Sequence, residues 1–252
     1  MDLGCPEFFL RRVELFDRRV TLLVGHFGSG KTEIALNGAL DMAARGSTVT
    51  LADLDVVKPY FRSRSARAVL AAAGTRLLAP TGENVHADLP IIVPQIRQAL
   101  RDPHCRLIAD VGGDDTGARV LGSLSDVVPP EETHCLVVLN FRRPSTTNPT
   151  EAVVMVRAIE TVARLRVTGL VSNTHLMGET TSDVVLDGYR MAVEAAGELE
   201  LPLVAVTVDE DTAHGITEAE LDCPLLVLRR LVLPPFEQTR ERRTSGPLFV
   251  VN

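Results

Sequence analysis

The residues of this chain best suited to chemistry lie in one short run. Gly25-His26-Phe27-Gly28-Ser29-Gly30-Lys31-Thr32 fits the pattern G-x-x-x-x-G-K-[ST]. In that pattern the glycines let backbone N–H groups turn inward around phosphate oxygens, and a following helix adds the positive potential of its N-terminus. Lys31 then reaches the β- and γ-phosphates of a nucleoside triphosphate, and the Thr32 hydroxyl ligates Mg²⁺. A magnesium site also needs an acid. Leu107-Ile108-Ala109-Asp110 is an apolar run ending in Asp, the pattern of a metal-binding strand end. Asp110-Val111-Gly112-Gly113 then reads D-x-x-G, in which the N–H of Gly113 senses a γ-phosphate. Asp53-Leu54-Asp55 closes a second apolar run. Two carboxylates there suit water positioning and contacts behind the metal. A ribose-holding role is excluded, because the glycine loop carries Lys-Thr and is not G-x-G-x-x-G. The Asp114-Asp115-Thr116-Gly117 segment is either a loop that moves with nucleotide state or a helix cap.

Those residues need elements to hold them. Val20–Val24 reads as a strand entering the loop and Thr32–Ala44 as a helix leaving it, with Ala35, Ala39 and Ala43 on one side. Arg45-Gly46 supplies a cation for the last turn and a left-handed stop. Further strands are expected at Val49–Ala52, Leu77–Ala79, Leu107–Ala109, Leu136–Leu139, Val167–Val171 and Leu203–Val208. Between them, helices are expected at Ser63–Ala73, closed by Gly74, at Pro94–Arg101, and at Ser182–Ala196, closed by Gly197. Asn148-Pro149-Thr150-Glu151 is the clearest helix start, with Asn as cap, Pro where no donor is needed and Glu reaching back. That helix runs to about Arg164. Strands separated by helices imply right-handed crossovers. The expected architecture is a single α/β domain over residues 1–252, with a mostly parallel central sheet and helices on both faces. Its core spans about 18–210, and 211–252 is an extension holding an edge strand at Leu225–Leu233 and a solvated tail at Glu237–Arg243.

Composition narrows the class. Across 252 residues, 45% are hydrophobic and 23% charged, ordinary for a globular chain and inconsistent with a disordered one. The net charge of −7 and an aromatic content of 4% argue against a nucleic-acid partner. No apolar run is long enough to span a bilayer, and no secretory signal opens the chain, so a cytoplasmic protein without a membrane anchor is expected. The 4 cysteines, Cys5, Cys105, Cys135 and Cys223, lie far apart and nucleate no zinc or iron–sulfur site.

Taken together, the P-loop, the D-x-D after the second strand, the D-x-x-G and Asn173 after a late strand resemble the MinD/ParA/CobQ-type P-loop ATPases of the SIMIBI class. Within that class, Asp53-Leu54-Asp55 with Pro59-Tyr60-Phe61-Arg62, and Asp110 to Asp115, are similar to a branch usually labelled only as ATP-binding protein. The resemblance implies that Gly25 to Thr32 form the phosphate cradle, that Asp110 is the Walker B acid, and that Asp53 or Asp55 orients the attacking water. It implies that Asn173 reads the purine edge. Relatives also carry a second lysine near the start of the loop, which crosses a sandwich dimer to the partner's phosphate. Here that place holds His26, so any homodimer would not form through a signature lysine.

Several readings stay open beside the main one. His26 contacts the γ-phosphate or packs on the loop. Arg62 and Arg64 supply a cation or begin a solvated helix. Arg142-Arg143 contacts base, phosphate or client, or is solvated. Asn84, His86 and Asp88 lie on a polar loop where relatives bind a second substrate. The leading function is a Mg-dependent ATPase that switches loops 53–64 and 110–117 to act on a protein partner. A small-molecule synthetase or kinase of the dethiobiotin-synthetase type is the alternative, and a nucleotide-holding scaffold the third reading. GTP is disfavoured because Asn173 is followed by Thr174-His175-Leu176, with neither the Lys nor the Asp of N-K-x-D.

Overall fold

The computed structural model describes residues 14–55, 67–79, 85–113 and 115–231. Arg62, Arg64, Asn84, Asp114, Cys5 and the 237–243 tail lie outside them. Eight strands form one parallel sheet: β1 (Val20–Val24), β2 (Val49–Leu54), β3 (Arg76–Leu78), β4 (Arg106–Val111), β5 (Thr133–Leu139), β6 (Gly169–Ser172), β7 (Leu203–Asp209) and β8 (Leu225–Leu228). Their order is β3-β2-β4-β1-β5-β6-β7-β8. The central strands read as unbroken apolar runs because both faces are covered, so successive side chains enter two different cores. Leu22 and Val24 join one buried cluster and Leu23 the other.

Helix α1 (Lys31–Ala44) packs on one face through Ile34, Leu36 and Ala39, beside Leu70 of α2 (Arg67–Ala72). Across the sheet, α3 (Val85–Arg101), α4 (Asp115–Gly122), α5 (Pro149–Ala163) and α6 (Ser182–Leu199) contribute Ile96, Leu121, Val156 and Ala195 to the larger core. A short helix, α7 (Glu210–Ala213), follows β7.

Three expectations change. Helix α3 begins at Val85, not Pro94, so His86 and Asp88 sit in a helix and not on a loop. Pro94 reads as a first-turn residue, where its missing N–H costs nothing, yet the helix carries both Pro90 and Pro94 inside it. Gly117 lies inside α4 and not in a mobile loop. Helix α6 runs through Gly197 to Leu199 and stops at Glu200, whose φ is 55°; Leu199 and Leu201 pack on the core and carry the last turn inward. The expected edge strand in the extension forms as β8, over Leu225–Leu228, and pairs in parallel with β7.

Candidate functional site

All the chemistry-bearing residues emerge from the C-terminal ends of the strands, where ligands bind in open α/β sheets. The P-loop follows β1, the Asp53–Asp55 pair ends β2, and Asp110 sits near the end of β4. Asn140, Asn173 and Asp209 close β5, β6 and β7. Because β2 and β4 are neighbours, Asp53 and Asp110 stand directly opposite each other in the ladder.

The P-loop is held open from outside. Gly25, Gly28 and Gly30 all have positive φ, at 138°, 77° and 90°. At Gly30 a side chain is excluded twice, since a Cβ there would lie 2.0 Å from Asn173 Nδ2. Outward-facing carbonyls are each taken by a side chain. Asn140 Nδ2 donates to Gly28 O at 3.2 Å, Arg143 Nε to the same oxygen at 2.9 Å, and Asn173 Nδ2 to Ser29 O at 2.7 Å. Pinning the carbonyls outward leaves the N–H groups facing inward. Helix α1 has no side-chain cap, unlike α5, where Asn148 accepts from Glu151 N, and α6, where Thr181 accepts from Val184 N. Its first N–H groups are therefore left for a ligand. Ser29 Oγ is buried in the loop with no hydrogen-bond partner, which suits a polar group arriving at that spot.

Lys31 is buried, and its ammonium donates to Gly25 O at 2.8 Å and His26 O at 3.1 Å. Thr32 Oγ1 donates to Asp110 Oδ2 at 2.5 Å, so the hydroxyl and the acid expected to hold Mg²⁺ already meet. Asp53 is 1% exposed and accepts from Asp55 N at 3.2 Å. Asp55 lines the main cavity beside the loop, and Asp53 sits behind it. Gly113 packs so tightly against the loop that a Cβ would lie 2.2 Å from Gly25 O. His26 is half-buried, and its pKa is lowered by burial and by the Lys31 charge, against a hydrogen bond with the Gly113 backbone. A neutral imidazole follows, the opposite of what a cation acting across a dimer requires.

The main cavity, about 360 Å³, runs from Lys31 and Thr32 past Asn173 and His175 to Asp209 and Arg230. His175 was noted in the sequence only as a neighbour of Asn173. Burial, then the charges of Arg143 and Arg230, push its pKa down to about 4. Its Nδ1 accepts from Met177 N at 3.3 Å, fixing the ring in its neutral form behind the loop. Asp209 accepts from Thr212 N at 2.9 Å and from its hydroxyl at 3.0 Å. Asn140 was missed altogether. It is 1% exposed, and its Oδ1 also accepts from Arg142 N at 3.0 Å and His175 N at 3.3 Å, tying the P-loop to the β6 loop. A lone amide ending the apolar run Leu136–Leu139 was the available signal.

No protein-family model and no curated protein matches the chain. Among solved structures, FtsY from Mycoplasma mycoides aligns at 17% identity and a TM-score of 0.48, over 77% of this chain and 62% of that one. FtsY from Thermotoga maritima aligns at 20% identity and 0.48, over 73% and 59%. A nucleotide-binding protein from Archaeoglobus fulgidus, in complex with ADP, aligns at 18% and 0.45, over 82% and 88%. The chain thus spans less than two thirds of the FtsY proteins. Among the described residues, no helix is long and apolar enough to cross a membrane.

Proposed function

We propose that this chain is a Mg-dependent ATP-binding protein and ATPase whose nucleotide state acts as a switch on a protein partner. The observation that carries the reading is the 2.5 Å contact between Thr32 Oγ1 and Asp110 Oδ2, beside Lys31 in a loop whose Gly28 and Ser29 carbonyls are braced from outside. Thr32 and Asp110 are the residues that would hold Mg²⁺, which when bound neutralises charge between the β- and γ-phosphate oxygens. Lys31 exchanges its two loop carbonyls for phosphate oxygens. Asp55, lining the cavity, accepts a hydrogen bond from the attacking water and so orients it, while the buried Asp53 holds the Asp55 backbone. The N–H of Gly113 reports the γ-phosphate to α4.

Adenine is the base this site favours. Asn173 spends its Nδ2 on Ser29, which leaves the acceptor Oδ1 for a base edge. Adenine offers an amino donor there and guanine a carbonyl. Asp209, the acid at that end of the cavity, already accepts from Thr212 through Oδ1, which makes it a poorer partner for guanine's paired N–H donors. Calorimetric titration with ATP and with GTP, each with and without Mg²⁺, tests the reading. ATP should bind about tenfold or more tighter than GTP, a gap of about 1.4 kcal/mol. Equal affinities would return the base to an open question, and affinities indifferent to Mg²⁺ would remove the metal.

A further inference from the structure

On the other side of the P-loop lies a second cavity, about 390 Å³, which shares no lining residue with the first. Its floor is Gly25, His26, Gly112 and Gly113, the end of the site where a γ-phosphate would sit. Its walls are apolar, from Ala118 on α4 and Val154, Met155, Ala158 and Ile159 on α5. Val154 is 63% exposed, a high value for a β-branched apolar residue in the middle of a helix. At the mouth stand the Ser145 and Thr150 hydroxyls and the Glu151 carboxylate. Glu151 accepts from Thr147 N and Oγ1 at 2.6 and 2.9 Å, which holds its carboxyl below the usual range and ionised.

We infer that this cavity is a second ligand site, for a small and largely apolar molecule bearing an N–H or O–H head, and that its occupancy is coupled to the nucleotide. This inference rests on the proposed nucleotide site. A floor and two walls enclose a volume within the few hundred Å³ typical of small-molecule pockets, with apolar lining and a few convergent polar groups. Of the polar groups lining it, the two hydroxyls both donate and accept. The ionised Glu151 carboxylate only accepts and meets Thr147 through Oε2, so an N–H or O–H head finds acceptors there. The coupling has a mechanical basis. Gly117 of α4 is pressed on the switch glycines, since a Cβ there would lie 2.1 Å from Gly112 O, and Gly113 is pressed on the P-loop in turn. An occupant touching Ala118 therefore bears on the same backbone that a γ-phosphate would move, and each ligand must alter the other's affinity by the same factor.

The neutral fluorophore N-phenyl-1-naphthylamine, an apolar body with a single N–H, is a suitable probe. It is titrated into the full chain holding either Mg·ADP or Mg with a non-hydrolysable ATP analogue, and the affinity for a fluorescent ADP derivative is measured separately. Saturable binding of one probe per chain is expected, with dissociation constants differing at least threefold between the two nucleotide states. Ala158→Trp, which fills the cavity, and Val154→Asp, which charges its wall, should each weaken the probe at least tenfold and leave ADP affinity within twofold. Non-saturable binding, or binding indifferent to the variant that folds, overturns the site. Identical constants in the two nucleotide states overturn the coupling. Failure of the wild type to bind the ADP derivative would instead refute the nucleotide reading.

Discussion

The two cavities that flank the P-loop are of similar size, about 360 and about 390 Å³, yet their chemistry is opposed. On the β6–β8 side, polar side chains are spent before any ligand arrives: Asn140, Arg143 and Asn173 brace the loop, and Asp209 is held by Thr212. On the α4–α5 side the walls are mostly aliphatic, and Gly113 meets the loop through its close approach to Gly25 and its hydrogen bond with His26. If the proposed reading holds, the difference teaches that one face of the loop is preorganised for a polyanion of fixed shape, whereas the other is built to respond. Preorganised donors cost no rearrangement when charge arrives. An apolar pocket resting on glycine contacts can transmit displacement but supplies little electrostatic energy.

The largest effect should come from the metal side of the braced face. Asp110→Ala removes the acid beside Thr32, and affinity for Mg·ATP should fall by about a hundredfold, roughly 2.7 kcal/mol, while Mg-free ADP binding changes little. Calorimetry with and without Mg²⁺ reads this directly, and an unchanged Mg dependence would break the assignment. Next is the pH response of the same face. His175 stays neutral down to about pH 4, whereas an unfolded imidazole takes its proton near pH 6.5. Between those values the unfolded state binds more protons, so stability falls as pH drops through that window. At pH 5 the loss is roughly 2 kcal/mol, from about 1.4 kcal/mol per unit. Denaturant midpoints of wild type and His175→Gln across pH 7.5 to 5 should diverge in slope, and parallel slopes would contradict the burial argument.

A smaller effect is expected at Asp55. Asp55→Asn should lower kcat about tenfold with ATP affinity nearly unchanged, and more than Asp53→Asn does, because Asp55 lines the cavity and Asp53 lies behind it. Equal turnover in both variants and wild type would remove the pair from catalysis. The smallest expected effect is a null on the responsive face. With His26 neutral, two ATP-loaded faces meet without a compensating cation, so sedimentation at pH 7.5 should be the same with ADP and with an ATP analogue. A dimer formed only with the analogue, and lost in Arg62→Ala, would name a substitute cation.

The contrast between the faces also marks what the amino-acid sequence could show. The braced loop was legible because its parts are local: Gly25 to Thr32 is contiguous, and Asp110 and Asp53 each end an apolar run that only a covered strand produces. Parallel pairing of those runs followed from the helices between them. Asn140 and the closing role of His175 were not legible, because they act across β5 and β6 on a loop distant in the chain. Nor was the second cavity, because one of its walls, α4, was not legible as a helix, and the other, α5, meets it only in the fold. Pro90 and Pro94 hid the first turns of α3, because proline is more often found at a helix start than inside one, so the expected start falls at Pro94.

The most direct test of the central claim is Lys31→Ala. Its side chain is buried, and its ammonium donates to the two loop carbonyls it would exchange for phosphate oxygens. Loss of one cation shared by several phosphate oxygens should abolish measurable Mg·ATP binding in a calorimetric titration, with the variant's fold confirmed by circular dichroism. Wild-type affinity in that variant would contradict the account, and would pass the phosphate-binding role to Arg143, the other cation that reaches this loop.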